Sequence, residues 1–196
     1  MIVAWEDLGK VLNVGDNQWY RIKTLGDGSC LIHAILYGFC SRYRKRDRAA
    51  KTSLVKDIRR SLSLHLTEDV YTKLGHVQHH DLSEFSRDRM VATLNSSQEL
   101  GYGYLPYLAH QFQTNIIVLY KNSSKSIEPY PREDSPFVYD RTVVIYYDKK
   151  RNHFETIGYQ GKLPDTTEQY LITVFDPHDS LIKPWTTPAK QSKPKA

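Results

Sequence analysis

A cysteine at the head of an apolar helix, delivered by a glycine-loosened loop, is a place where a thiol can act as a nucleophile. The run Leu25-Gly26-Asp27-Gly28-Ser29-Cys30-Leu31-Ile32-His33-Ala34-Ile35 has that form. After Cys30, the apolar Leu31, Ala34, Ile35 and Phe39 recur at helical spacing, so the helix has a face to bury while its amino end stays open. Gly26 and Gly28 permit close backbone approach, and Asp27 and Ser29 are capping residues. The unpaired N–H groups of a first helical turn favour a thiolate and can hold the oxyanion of a tetrahedral intermediate. That makes the amides from Gly28 through Ser29 to Cys30 candidate oxyanion donors. The plain alternative is a buried cysteine that packs as a small hydrophobe.

A thiol nucleophile needs a base, and the base needs a group to orient it. Of eight histidines, His153 is the candidate. It follows the turn Asp148-Lys149-Lys150-Arg151-Asn152 and starts a strand, 123 positions from Cys30, so only the fold can pair them. Glu155 shares the strand face of His153 and could accept its Nδ1–H, with Asn152 or Thr156 as alternatives. His33 could reach the sulfur along one helix but would sit level with it or behind it. His76, His79 and His80 lack flanking cysteine or acidic ligands, which favours a solvated loop over a metal site. Glycines 26, 28, 101 and 103 make no phosphate loop, since no Gly-Lys-Ser/Thr follows them. No metal and no cofactor is expected.

The elements that must position these residues alternate between helical and β-rich patterns. Residues 1–24 read as a lead-in, with Trp19-Tyr20-Arg21-Ile22 a short extended run. Ala50, Leu54, Ile58, Leu62 and Leu66 predict a helix, Val70 to Leu74 another that ends at Gly75, and Phe85, Met90, Val91 and Leu94 a third capped by Ser83. A helix from about Pro106 to Phe112 leads into a buried strand, Asn115 to Tyr120. Lys121 to Asp140 reads as a long surface connection or a ragged hairpin. Arg141 to Tyr147 and His153 to Ile157 then form a strand hairpin, and Tyr170 to Phe175 a final strand. The expected fold class is α/β (α+β): a small mixed sheet from the Ile116, Val143 and His153 strands, packed between helices.

The 196 residues, 40% hydrophobic, suit one domain, placed at 1–178, with a basic Pro/Lys-rich disordered tail or linker at 179–196. The chain shows no signal-peptide form and no run long enough to span a membrane, so an intracellular, soluble monomer is expected. Cys30 and Cys40 are expected to be reduced thiols. The net charge of +5 is uneven. Residues 42–60 carry a local +7 and residues 179–196 a local +3, leaving −5 on the rest. Such a distribution fits a solvated helix face or a recognition patch better than a general nucleic-acid binder.

Asp27-Gly28-Ser29-Cys30-Leu31 with Ala34 resembles the Asp-Gly-x-Cys-Leu/Phe-x-x-Ala signature of the ovarian tumour (OTU) cysteine proteases. Tyr146-Tyr147 leading to His153-Phe154 is similar to the family's catalytic histidine segment, and Gly101-Tyr102-Gly103 to its intervening Gly-Gly segment. The three matches occur in family order over about residues 20–160. The resemblance implies a papain-like OTU fold and a deubiquitinase, with Cys30 as nucleophile, His153 as base, Glu155 as orienter and Asp27 shaping the oxyanion loop. Gly101, Tyr102, Gly103 and Phe154 would bound the channel for the glycine tail of ubiquitin, polyubiquitin or a ubiquitin-like modifier. The domain's style also resembles viral OTU modules, which would place it in host cytoplasm. The rival readings are an inactive ubiquitin-binding module and a basic nucleic-acid-binding domain.

Overall fold

Apolar runs that exceed the needs of one strand face determine where the sheet lies. In this computed structural model, residues 2–4, 18–75, 85–120, 127–130, 139–162 and 169–186 are described. The strands are β1 (Ile2–Ala4), β2 (Trp19–Ile22), β3 (Asn115–Tyr120), β4 (Ile127–Tyr130), β5 (Thr142–Asp148), β6 (His153–Lys162) and β7 (Gln169–Ile172). They form one mixed sheet in the order β1-β2-β6-β5-β3-β4, with β7 pairing β6 off that path. The β3–β5 pair is parallel, and the others are antiparallel. Strands β3 and β5 are buried on both faces, which is why their sequences are continuous runs of Ile, Val and Leu.

One face of the sheet carries Ile116, Val118, Val143, Ile145 and Phe154 against the helices. These are α1 (Cys30–Phe39), α2 (Ser41–Arg44), α3 (Arg48–His65), α4 (Glu68–Gly75), α5 (Arg87–Leu94) and α6 (Leu105–Phe112), with a 3₁₀ turn at Tyr102–Tyr104. Helix α1 is buried nearly all round. It is tied to β6 by the Thr156 hydroxyl, which donates to the Ala34 carbonyl at 2.7 Å. The other face carries Ile117, Leu119, Val144, Tyr146 and Ile157 under Trp19, Phe175, Ile182 and Trp185.

The expected α/β class holds, and the sheet is larger than the expected three strands. The extended run at Trp19 is β2, which pairs Ile22 with Thr156, and part of the 121–140 connection is β4 on the outer edge of β3. The tail expected from residue 179 is folded as far as 186. Ile182 and Trp185 are buried and a short helix, α7 (Lys183–Thr186), closes it, because the Trp185 ring packs 4.7 Å from Trp19. The basic run is also not a uniform solvated face, since Tyr43 and Arg59 are buried within it. The expected cap Ser83 and the His76, His79 and His80 cluster lie outside the described residues. No described helix is long and apolar enough to cross a membrane, and Cys30 and Cys40 are free thiols.

Candidate active site

Cys30 is the first residue of α1, and the loop before it is held from several sides. Gly28 takes φ +83°, and a Cβ there would stand 2.2 Å from the Ser97 carbonyl oxygen, so only glycine fits. Its own carbonyl accepts from Leu100 N at 3.1 Å and from the Arg59 guanidinium at 3.1 Å. The Asp27 carboxylate accepts from Ser29 N at 3.1 Å and pairs with His33 Nε2 at 3.0 Å. His33 is fully buried, its Nδ1 bonded to the Tyr43 hydroxyl. With both ring nitrogens engaged and burial holding its pKa below the ordinary imidazole value, His33 braces the loop as a neutral ring.

The sulfur lies beneath the turn that starts β6. Cys30 Sγ is 3.9 Å from the Asn152 carbonyl oxygen, across 122 residues of chain. His153 follows, with its ring over the loop: a Cβ on Gly26 would be 3.9 Å from His153 Cε1. Its Nε2 is 3.4 Å from Thr24 Oγ1 and 3.8 Å from Glu155 Oε1. The Thr24 hydroxyl donates its own proton to the Phe154 carbonyl at 2.5 Å. Oγ1 is therefore left to accept from Nε2–H, which leaves Nδ1 with the lone pair that can take a proton. Glu155 thus stands at Nε2, where Nδ1 was expected. Its other oxygen is 2.6 Å from Arg21 Nε in an ion pair not aligned for a hydrogen bond.

The Cys30–His153 pair favours the thiol and the neutral imidazole at rest. Burial pushes the Cys30 thiol up, the negative charges of Glu99 and Asp27 add to this, and the backbone N–H groups of Phe154 and Leu31 pull the other way. Burial lowers the His153 imidazole, and Glu155 is the chief charge opposing that. Cys30 is only 3% exposed. Around it Gly26 and Glu99 are exposed and Asn152 and His153 are half-buried. Asn152, at φ +45°, donates to Glu99 Oε2 at 2.6 Å and accepts from the Tyr147 hydroxyl at 2.9 Å.

These positions keep some of the expected roles and change others. Asp27 is engaged with His33 and Ser29 and serves the loop. The Ser29 N–H is committed to Asp27, while the Cys30 N–H, whose peptide carbonyl faces His33 N, is among the first-turn donors with no partner inside the helix. Asn152 and Thr156 are held by Glu99, Tyr147 and Ala34, leaving Glu155 beside His153. Phe154 cannot line a channel: it is fully buried under α1, stacked on Tyr147 at 4.4 Å. Gly103 is small because the Phe85 ring would meet its Cβ at 2.1 Å. Gly101 does face open space, and the Tyr102 ring lies 6.4 Å from Tyr147 and 6.1 Å from Tyr120.

Sequence reasoning missed Thr24, Arg21, Glu99 and Arg59. Arg59 had a visible signal, since it sits between Val55 and Leu62 on the apolar stripe of α3. Thr24 had none. Among the described residues no group of histidine, cysteine and acidic side chains forms a metal cluster.

No protein-family model matches the sequence, and no curated protein does. Solved structures do. An ovarian tumour (OTU) domain in complex with ubiquitin is similar over 85% of this chain and 81% of its own, at 19% identity and TM-score 0.50. The viral OTU domain protease from Taggert virus is similar over 75% and 83%, at 13% identity and TM-score 0.48. An OTU deubiquitinase from Wolbachia pipientis is similar over 72% and 89%, at 16% identity and TM-score 0.43. Identities this low speak to the path of the backbone, and the first of the three carries the comparison. Taken with the mixed sheet flanked by helices, it shows that this chain has the OTU fold.

Proposed function

We propose that the chain is a cysteine-type deubiquitinase that cleaves the (iso)peptide bond after the terminal glycine of ubiquitin or a ubiquitin-like modifier. The observation that carries this reading is Cys30 Sγ at 3.9 Å from the carbonyl of Asn152, directly before a histidine whose Nε2 is engaged by Thr24 and Glu155. His153 Nδ1 takes the thiol proton as sulfur bonds to the glycine carbonyl carbon. The oxyanion forms at the helix start, with the Cys30 N–H as donor. His153 then returns the proton to the leaving lysine amine, and water activated by the same imidazole hydrolyses the thioester. Gly101 and Tyr102 bound the approach. Nothing in this sequence of steps requires a cofactor.

The nearly covered thiol, pushed up by burial, favours one second reading: a ubiquitin-binding module without turnover. A ubiquitin probe with a C-terminal electrophile separates the two. Wild type is expected to form a covalent adduct, and Cys30→Ala and His153→Ala are expected to form none. Non-covalent binding of ubiquitin without adduct by wild type establishes the second reading, and parallel probes built on ubiquitin-like modifiers identify which one is accepted.

A further inference from the structure

Arg59 lies mid-helix in α3 and is 4% exposed. A guanidinium has five N–H donors, and here all five are used. Nε donates to Leu94 O at 3.2 Å, one terminal nitrogen to Gly28 O at 3.1 Å and Ser29 Oγ at 3.0 Å, and the other to Thr93 O at 2.5 Å and Gln98 O at 2.9 Å. None of these acceptors is a carboxylate. A buried guanidinium is costly unless its donors are satisfied, and here neutral oxygens satisfy all five. What the planar fork supplies is direction: five oxygens from residues 28–29 and 93–98 aimed at one point.

Those oxygens determine the amides. In a trans peptide the carbonyl and the N–H point opposite ways. Drawing the Gly28 carbonyl to Arg59 turns the Ser29 N–H away, where it meets Asp27 at 3.1 Å. Anchoring the Ser29 hydroxyl fixes the next peptide, whose carbonyl accepts from His33 N at 3.0 Å, and the Cys30 N–H is left pointing out of the helix. We infer that Arg59 is the positioning residue of the oxyanion site: its five bonds hold the peptide units before Cys30 so that the Cys30 N–H meets the oxygen of the carbonyl under attack. This inference rests on the thiol-hydrolase reading above.

The test compares two reactions of one sulfur. Hydrolysis of a fluorogenic ubiquitin C-terminal amide builds an oxyanion, and alkylation by iodoacetamide does not. In Arg59→Met, kcat is expected to fall about 10²- to 10³-fold, with KM and the alkylation rate each within about threefold of wild type. Arg59→Lys should be no better, because one ammonium cannot reach five oxygens in a plane. Millimolar guanidinium should restore at least part of the kcat of Arg59→Ala. Wild-type kcat in Arg59→Lys, or hydrolysis and alkylation falling together in a variant with a wild-type melt, overturns the inference. If the Arg59 variants do not fold, Ser29→Ala carries the test: a kcat about tenfold or more lower at unchanged KM is expected for the loss of one charge-assisted bond, and a kcat within threefold of wild type overturns it. Absence of turnover by wild type refutes the deubiquitinase reading instead. Hydrogen exchange at the amides of residues 28–30 in Ser29→Ala then decides the Arg59 inference, with faster exchange supporting it and unchanged exchange overturning it.

Discussion

Glu155→Gln removes one charge and almost no volume from beneath the imidazole, and its effect can be worked from one distance. In the proposed mechanism His153 accepts the thiol proton, and a cation then forms 3.8 Å from a carboxylate that is 2% exposed. At an effective dielectric of about 20, two unit charges at that separation attract by about 4 kcal/mol. Arg21, 2.6 Å from the same carboxylate, repels that cation in wild type and variant alike and cancels from the difference, so the loss is at most about 4 kcal/mol, or roughly 10³-fold in rate. The assay is kcat/KM on a fluorogenic ubiquitin amide, paired with an NMR titration of His153. Without the carboxylate the imidazole should titrate still lower, because Glu155 is the leading charge that holds it up. Thr24→Val removes a neutral partner of Nε2 and should cost less than Glu155→Gln. A Glu155→Gln enzyme within threefold of wild type, with an unmoved His153 titration, refutes the electrostatic argument.

Two further outcomes test the site's resting state and its loop. Since the Cys30 thiol is held above its ordinary value, the neutral form dominates at pH 7, and the iodoacetamide rate should keep climbing with pH past about 8.5. Glu99→Gln should shift that curve to lower pH, because it removes a charge that disfavours the thiolate, and a wild-type plateau below pH 7 would sink this account. Gly28→Ala places a Cβ 2.2 Å from the Ser97 oxygen at φ +83°. A displacement of about 1 Å beside the nucleophile should cost about 10²-fold in kcat/KM, and the left-handed backbone about 1–2 kcal/mol in a thermal melt.

The parts of the fold that were legible in the chain are those whose cause is local. Helix α1 begins where glycines give way to an apolar run, and β3 and β5 announce themselves because both faces are buried. The position of His153 was readable from the five-residue turn before it. What escaped depends on distant partners. Trp19–Ile22 looks like a lead-in until β6 is placed beside it, and residues 182–185 carry no periodicity because they fill a gap over the Trp19 ring. Phe154 follows the alternation rule, yet the face expected to be open lies under α1. Arg59 belonged to a run of basic residues, and composition alone could not separate the one that turns inward from those that face water.

The pairing of β2 with β6 also orders events during synthesis. Thr24 and His153 are 129 residues apart, and at about 5–20 residues per second the ribosome delivers the second roughly 6 to 26 s after the first. Until then β2 has no neighbour on its inner edge, and the base proposed for Cys30 has not been made. A nascent polypeptide that stops short of β6 therefore lacks the imidazole on which the proposed reaction depends.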